Sequence, residues 1–130
     1  MIILTIRTDK PEAEIGLYEA DKRLAYETWL AHRQLAETLH SKIEELLKKQ
    51  HKDWADLQGI VCFQGPGSFT GLRIGLTVGN ALAYSYRIPI VANQDPQWLE
   101  TGIRRLLNGE TDKQVLPFYG ADAHITLQKK

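Results

Sequence analysis

A single cysteine, no net charge and no long apolar run set the first limits on this 130-residue chain. Cys62 has no second thiol to pair with, so an intramolecular disulfide is excluded. Its neighbours Ile60, Val61 and Phe63 place it in a buried strand, where a thiol packs rather than reacts. The 16 basic and 16 acidic residues cancel, which argues against a free-standing nucleic-acid binder, because that class carries a basic stripe. Any nucleic acid is expected to be met through a partner. No segment approaches the roughly 20 apolar residues of a membrane span, and residues 1–7 show neither a basic leader nor a small-residue cleavage site. The expectation is a cytoplasmic protein without membrane contact.

Catalytic and metal patterns are missing too. The histidines His32, His40, His51 and His124 include no His-x-x-x-His pair. Ser68 lacks the Gly-x-Ser-x-Gly frame of an activated nucleophile and reads as a helix cap. Glu44 and Glu45 with Lys48 and Lys49 suit helix ion pairs rather than an acid/base dyad. Trp29, Trp54 and Trp98 are too scattered for a base-stacking platform. No catalytic residue and no metal ligand is therefore assigned.

What is present is a pattern for one α/β domain over residues 1–130, with 43% hydrophobic residues to build its core and no linker or repeat to divide it. Ile2, Ile3, Leu4 and Ile6 predict a first strand ending at Thr8-Asp9-Lys10-Pro11. Segments 13–19 and 24–30 complete an antiparallel meander. Leu35, Leu39, Ile43, Leu46 and Leu47 recur at helical spacing and predict an amphipathic helix over 31–49. A strand buried on both faces follows at 57–64, then a glycine loop, a long helix over 70–86 and a strand at 88–92, which together form a parallel crossover. Asp95 as N-cap and Pro96 as first helical residue open a third helix over 97–107, and Asn108-Gly109 stops it. Residues 115–118 and 123–128 are expected as terminal strands.

The most informative segment is Gly65-Pro66-Gly67-Ser68-Phe69-Thr70-Gly71-Leu72-Arg73-Ile74-Gly75. Gly65 and Gly67 permit a tight turn at the end of the buried strand, and Ser68 or Thr70 can cap the helix that follows. Gly65, Gly67, Ser68 and Thr70 thus form a candidate anion loop. Leu72-Arg73 after Gly71 does not fit a P-loop, which ends in Gly-Lys-Ser/Thr. A dinucleotide fingerprint lacks its acidic residue, since Ala92-Asn93-Gln94 stands at the next strand's end. Along the helix, Gly71, Gly75, Gly79 and Ala83 make a stripe almost without side chains. Each interior glycine costs about 0.8–1.0 kcal/mol relative to alanine, so the stripe calls for close packing. Its partner is either the domain's own sheet or first helix, or a helix of another subunit.

The same string resembles the signature of the TsaB (YeaZ) family. The chain order agrees from residue 1 to about 107, through the apolar first strand, the hairpin, the helix with His40 and Ile43, and the Ile88-Pro89-Ile90 strand. The resemblance implies a single N-terminal-type lobe of the actin/Hsp70/sugar-kinase-like (ribonuclease H-like) fold, a mixed sheet with helices. It implies a non-catalytic scaffold role in threonylcarbamoylation of the adenosine beside the tRNA anticodon. The partners would be a TsaD-like catalytic subunit and a TsaE-like ATPase, with tRNA contacted only indirectly. Because that family dimerises through its first two helices, Leu35, Leu39, Ile43, Gly71, Gly75, Gly79 and Ala83 become the expected partner interface, used for a homodimer when the chain is alone. The alternative is a small nucleotide- or phosphate-binding module using the 65–70 loop. No cofactor is expected of the chain itself, an adenine nucleotide having its expected place only at the complex interface. Two departures stand out. Ile6-Arg7-Thr8 replaces the family's Ile-Asp-Thr, putting a cation where active relatives of the fold hold a carboxylate near the nucleotide's metal. The chain also stops about where the family's second lobe is expected to begin, so one N-terminal-type lobe without the second is the expectation.

Overall fold

The computed structural model describes residues 1–31, 34–67, 69–94 and 96–118. The apolar opening forms β1 (Ile2–Arg7), with Ile3, Leu4 and Ile6 all buried. It pairs antiparallel with β2 (Glu12–Glu19), which pairs antiparallel with β3 (Lys22–Leu30). The second hairpin is tighter than the sequence pattern suggests. Ala20, at φ 54, turns the chain with Asp21, so that Lys22 and Arg23 already lie in β3 opposite Glu19 and Tyr18.

The remaining elements are α1 (Leu35–Lys49), β4 (Gly59–Gly65), α2 (Phe69–Tyr86), β5 (Ile90–Gln94) and α3 (Trp98–Leu107). Strand β4 lies parallel to both β1 and β5, giving the order β3-β2-β1-β4-β5. The expected mixed α/β sheet is thus observed. A layer of Leu4, Ile6, Ile15, Leu17, Ile60 and Ile90 carries α1 and α2 on one face. On the other face Ile3, Val61, Phe63 and Val91 carry α3 through Trp98, Ile103 and Leu106. Each such side chain removed from water contributes roughly 1.5–3 kcal/mol, so β4, with a layer on each side, anchors the domain.

Several element ends differ from expectation. Helix α1 begins at Leu35 with Gln34 as N-cap, not at Ala31, whose carbonyl instead accepts from the Gln34 N–H in a preceding turn. Helix α2 starts at Phe69, so Thr70 lies inside it and is not its cap; Ser68 falls outside the described residues. At its other end Arg87 adopts φ 56 and the Ile88 N–H returns to the Ala83 carbonyl, closing the helix as a left-handed C-cap does. Ile88 is therefore spent on the cap, and β5 starts only at Ile90. Helix α3 takes Gln97 as N-cap, so Pro96 precedes the helix and is not its first residue; Asp95 falls outside the described residues. The Asn108-Gly109 stop is observed, with Gly109 at φ 84 and its N–H bonded to the Leu106 carbonyl. Residues 115–118 are extended but form no strand, and 123–128 fall outside the described residues.

Cys62 is buried, and burial pushes its thiol up to about 12. The native chain should therefore resist alkylation near pH 8, where an exposed thiol of pKa ~8.5 reacts, and be labelled stoichiometrically in denaturant. Mass spectrometry of alkylated native protein checks this.

Candidate functional site

Two surfaces stand out, of which the first collects most of the residues singled out by the sequence. The first lies at the end of β1, against the glycine loop and the start of α2. Thr8, itself buried, donates its hydroxyl to the Gly71 carbonyl at 2.7 Å. A Cβ added at Gly75 would collide with Thr8 Oγ1, and one at Gly79 would stand 2.7 Å from Cys62 Sγ. The stripe is thus filled by the chain's own β1, β4 and β5. Leu35, Leu39 and Ile43 are likewise buried in the layer beneath α1, and Ala83 beneath α2. Of the positions expected to face a partner, Leu35, Leu39, Ile43, Gly75, Gly79 and Ala83 are buried in this chain's own core, while Gly71 is half-buried.

Beside Thr8, the Arg7 guanidinium forms a two-point ion pair with Asp9, Nε to Oδ1 at 2.8 Å and Nη2 to Oδ2 at 3.2 Å. Its central carbon also lies 3.9 Å from the centre of the Phe63 ring, which meets Trp98 edge-on at 5.9 Å. A planar guanidinium suits both contacts, a fork to the carboxylate and a face to the ring. Asp9 in turn packs against Gly67, where any Cβ would strike its own. Gly65, at φ 124, is needed for a second reason: a Cβ there would strike the Phe118 carbonyl oxygen. That carbonyl belongs to residues 115–118, which cross the loop and are held by side-chain amides. Asn80 both accepts from the Val115 N–H and donates to its carbonyl, each at 2.9 Å, and Gln64 donates to the Leu116 carbonyl at 3.0 Å.

This arrangement bears directly on the anion loop. Where a phosphate would approach Gly65 and Gly67, the structure sets a carboxylate and a stretch of main chain. The Asp9 carboxylate, 8% exposed, is paired with the Arg7 guanidinium. Among the described residues no group of three or more His, Cys, Asp or Glu side chains is gathered closely enough to hold a metal ion. Of the histidines, His40 stacks on Trp54 at 4.7 Å; His32 and His124 lie outside the described residues.

The second surface is the outer side of the two helices, which sequence reasoning did not select. A largely apolar groove of about 330 Å³ runs between α1 and α2, lined by Ala36, Thr70, Arg73, Ile74, Thr77 and Val78. Its small and β-branched side chains let another helix approach closely. The available signal was the spacing of Ile74 and Val78 four apart, next to the exposed Thr70 and Thr77, on the flank of α2 adjoining the glycine stripe.

With this geometry, the comparisons with known proteins are specific. Residues 29–102 match the family described as TsaD: tRNA N6-adenosine threonylcarbamoyltransferase. That span is more than half of the chain, from the end of β3 into α3. The chain belongs to this family. It is 38% identical over 93 residues to the tRNA threonylcarbamoyladenosine biosynthesis protein TsaB of Bacillus subtilis (strain 168), a match covering 71% of this chain and 40% of that protein. It is 37% identical over 62 residues to the tRNA N6-adenosine threonylcarbamoyltransferase of Geotalea daltonii, covering 48% of this chain and 18% of that one. Among solved structures, YeaZ from Pseudomonas aeruginosa superposes with a TM-score of 0.67 at 26% identity, covering 72% of this chain and 44% of that chain. The TsaB (YeaZ) resemblance carried by residues 65–75 and the single actin-like lobe are both supported by these matches. The chain spans less than half the length of these relatives. No helix among the described residues is long and apolar enough to cross a membrane.

Two substitutions separate the roles of these residues. Gly75→Ala should destabilise the fold by about 1–2 kcal/mol, because the overpacking against Thr8 exceeds the ~1 kcal/mol gain in helix propensity. Thermal or urea denaturation measures the difference. Arg7→Ala should cost about 2–3 kcal/mol, since it leaves the Asp9 carboxylate buried without its cation. Arg7→Ala combined with Asp9→Asn should recover part of that loss.

Proposed function

We propose that this chain acts in tRNA threonylcarbamoyladenosine synthesis as a non-catalytic scaffold, docking the outer face of α1 and α2 onto a TsaD-like subunit. The observation that carries the reading is the exposed apolar groove on that helix pair, in a chain of this family whose glycine stripe is already satisfied internally. The interface expected at Leu35, Leu39, Ile43 and the glycines is thereby moved to the adjoining groove between the same two helices, at Ala36, Thr70, Ile74, Thr77 and Val78. Two helices offering such a groove can receive two more in a four-helix contact, with small residues setting a short interaxial distance.

The first site supports the silent half of the proposal. An enzyme of this fold needs a carboxylate to hold a nucleotide's metal; here Arg7 occupies the equivalent place and is committed to Asp9 and Phe63. Chemistry is accordingly assigned to the TsaD-like partner, and a TsaE-like ATPase would join the pair. The alternative, a nucleotide module using Gly65, Gly67, Ser68 and Thr70, finds less support because Asp9 and Phe118 crowd that loop.

Thr77→Glu and Ala36→Glu put a charge on exposed positions of the groove and should leave the fold intact. Each should reduce the affinity for a TsaD-like subunit at least tenfold, as a desolvated unpaired charge costs several kcal/mol. Size-exclusion chromatography with light scattering measures this and also detects a homodimer of the isolated chain. Unchanged co-elution of both variants would move the interface elsewhere. Saturable micromolar binding of an adenine nucleotide to the chain alone, seen by calorimetry, would favour the nucleotide module.

A further inference from the structure

A second groove, at the opposite end of the lobe from the glycine loop, has no part in the reading above. It has a volume of about 640 Å³ and is lined by Tyr84, Ser85 and Arg87 at the end of α2, Pro89 before β5, and Thr111 and Lys113 after α3. Arg87 and Lys113 both hold left-handed backbone, at φ 56 and φ 65, and both are exposed. Among the described residues neither side chain has an ion-pair or hydrogen-bond partner. The acids nearby are already engaged. Glu110 and Asp112 both bind Arg105, and Asp112 also accepts from the Ala92 N–H. The lining itself contains no acid, so a chain of zero net charge concentrates two uncommitted cations here. Tyr84 completes the set; at 87% exposed it is the most exposed of the large apolar or aromatic side chains among the described residues.

Unpaired cations facing a polar groove beside an open aromatic ring fit one ligand chemistry well: a phosphodiester strand with an unstacked base. We infer that this groove is an RNA-contact subsite, in which Arg87 and Lys113 engage backbone phosphates and the Tyr84 ring stacks a base. The inference deepens the proposed function, because it gives the scaffold a direct hold on the RNA that its partner modifies. It departs from the expectation that tRNA is met only indirectly. The terminal carbonyls of α2 are the unfavourable element for an anion, and the Ile88 N–H bond to the Ala83 carbonyl satisfies one of them.

The test uses the isolated chain, so its outcome does not depend on complex formation. Amide resonances are followed by NMR as an RNA stem-loop carrying an anticodon loop is added, and affinity is measured by fluorescence anisotropy over a range of salt. Signals of Tyr84, Arg87 and Lys113 should shift while those lining the α1–α2 groove stay in place. Arg87→Gln with Lys113→Gln should weaken binding by on the order of tenfold and lower the slope of log K against log salt by about 1.4–1.8. Tyr84→Ala should weaken it roughly five- to hundredfold. Absence of binding, binding that ignores all three substitutions, or shifts confined to other surfaces overturns the inference. So does a result in which a TsaD-like protein, and not RNA, perturbs these residues. Loss of the heterodimer in the Thr77→Glu chain, with RNA binding retained, would show that the two surfaces act separately.

Discussion

The tight approach of α2 to the end of β1 is the constraint on which the rest of the lobe depends. Thr8 stands in the space left by the missing side chain of Gly75 and binds the Gly71 carbonyl. Gly79 rests in the same way on Cys62 and Ile90. The helix therefore lies flat along the β1–β4–β5 part of the sheet, leaving Thr70 and Thr77 exposed and Ile74 half-buried on the flank beside α1. The helix-propensity cost of the glycines, close to 1 kcal/mol each, is offset by dispersion contacts with the sheet.

That geometry also explains how one residue type at the end of β1 changes the character of the neighbouring site. A carboxylate at position 7 would leave Asp9 beside a second negative charge and would need a cation to hold both. Arg7 supplies that cation covalently, and its stacking on Phe63 fixes the guanidinium. The loop after β4 keeps the glycines of a ligand-binding turn, but their lack of side chains now serves contacts inside the chain: Asp9 at Gly67 and the Phe118 carbonyl at Gly65. A motif that suits phosphate binding is equally suited to close main-chain packing, because both need space next to the backbone.

Much of the fold was legible in the sequence because its signals are local. The amphipathic spacing of Leu35, Leu39, Ile43, Leu46 and Leu47 established α1, the run around Cys62 established a strand buried on both faces, and Asn108-Gly109 marked the end of α3. The direction of the glycine stripe was not legible. Spacing reveals that something lies close to Gly71, Gly75 and Gly79, but the neighbour of the first two is Thr8, more than sixty residues away, and that of Gly79 is Cys62 with Ile90; only the parallel pairing of β4 with β1 and β5 brings them there. The cap positions failed for a related reason. Buried Trp98, packed on Phe63, decides where α3 begins, and that contact outweighs the preference of Pro96 for a first helical turn.

The balance of charge takes on a different meaning once its distribution is known. Equal numbers of acids and bases suggest a surface with no field, yet the acids and bases are not equally available. Arg7 is closed on Asp9, Lys42 on Glu27 and Arg105 on Glu110 and Asp112, and the side chain of Asp112 also caps the free edge of β5. The Arg7 and Lys42 pairs each remove one sign and its opposite together, while Arg105 is shared by two acids. Near the end of α2, Arg87 and Lys113 remain with no acid in ion-pair contact among the described residues. A neutral total is therefore compatible with a cationic groove, because what a ligand phosphate encounters is the local residue of unpaired charge and not the sum over the chain.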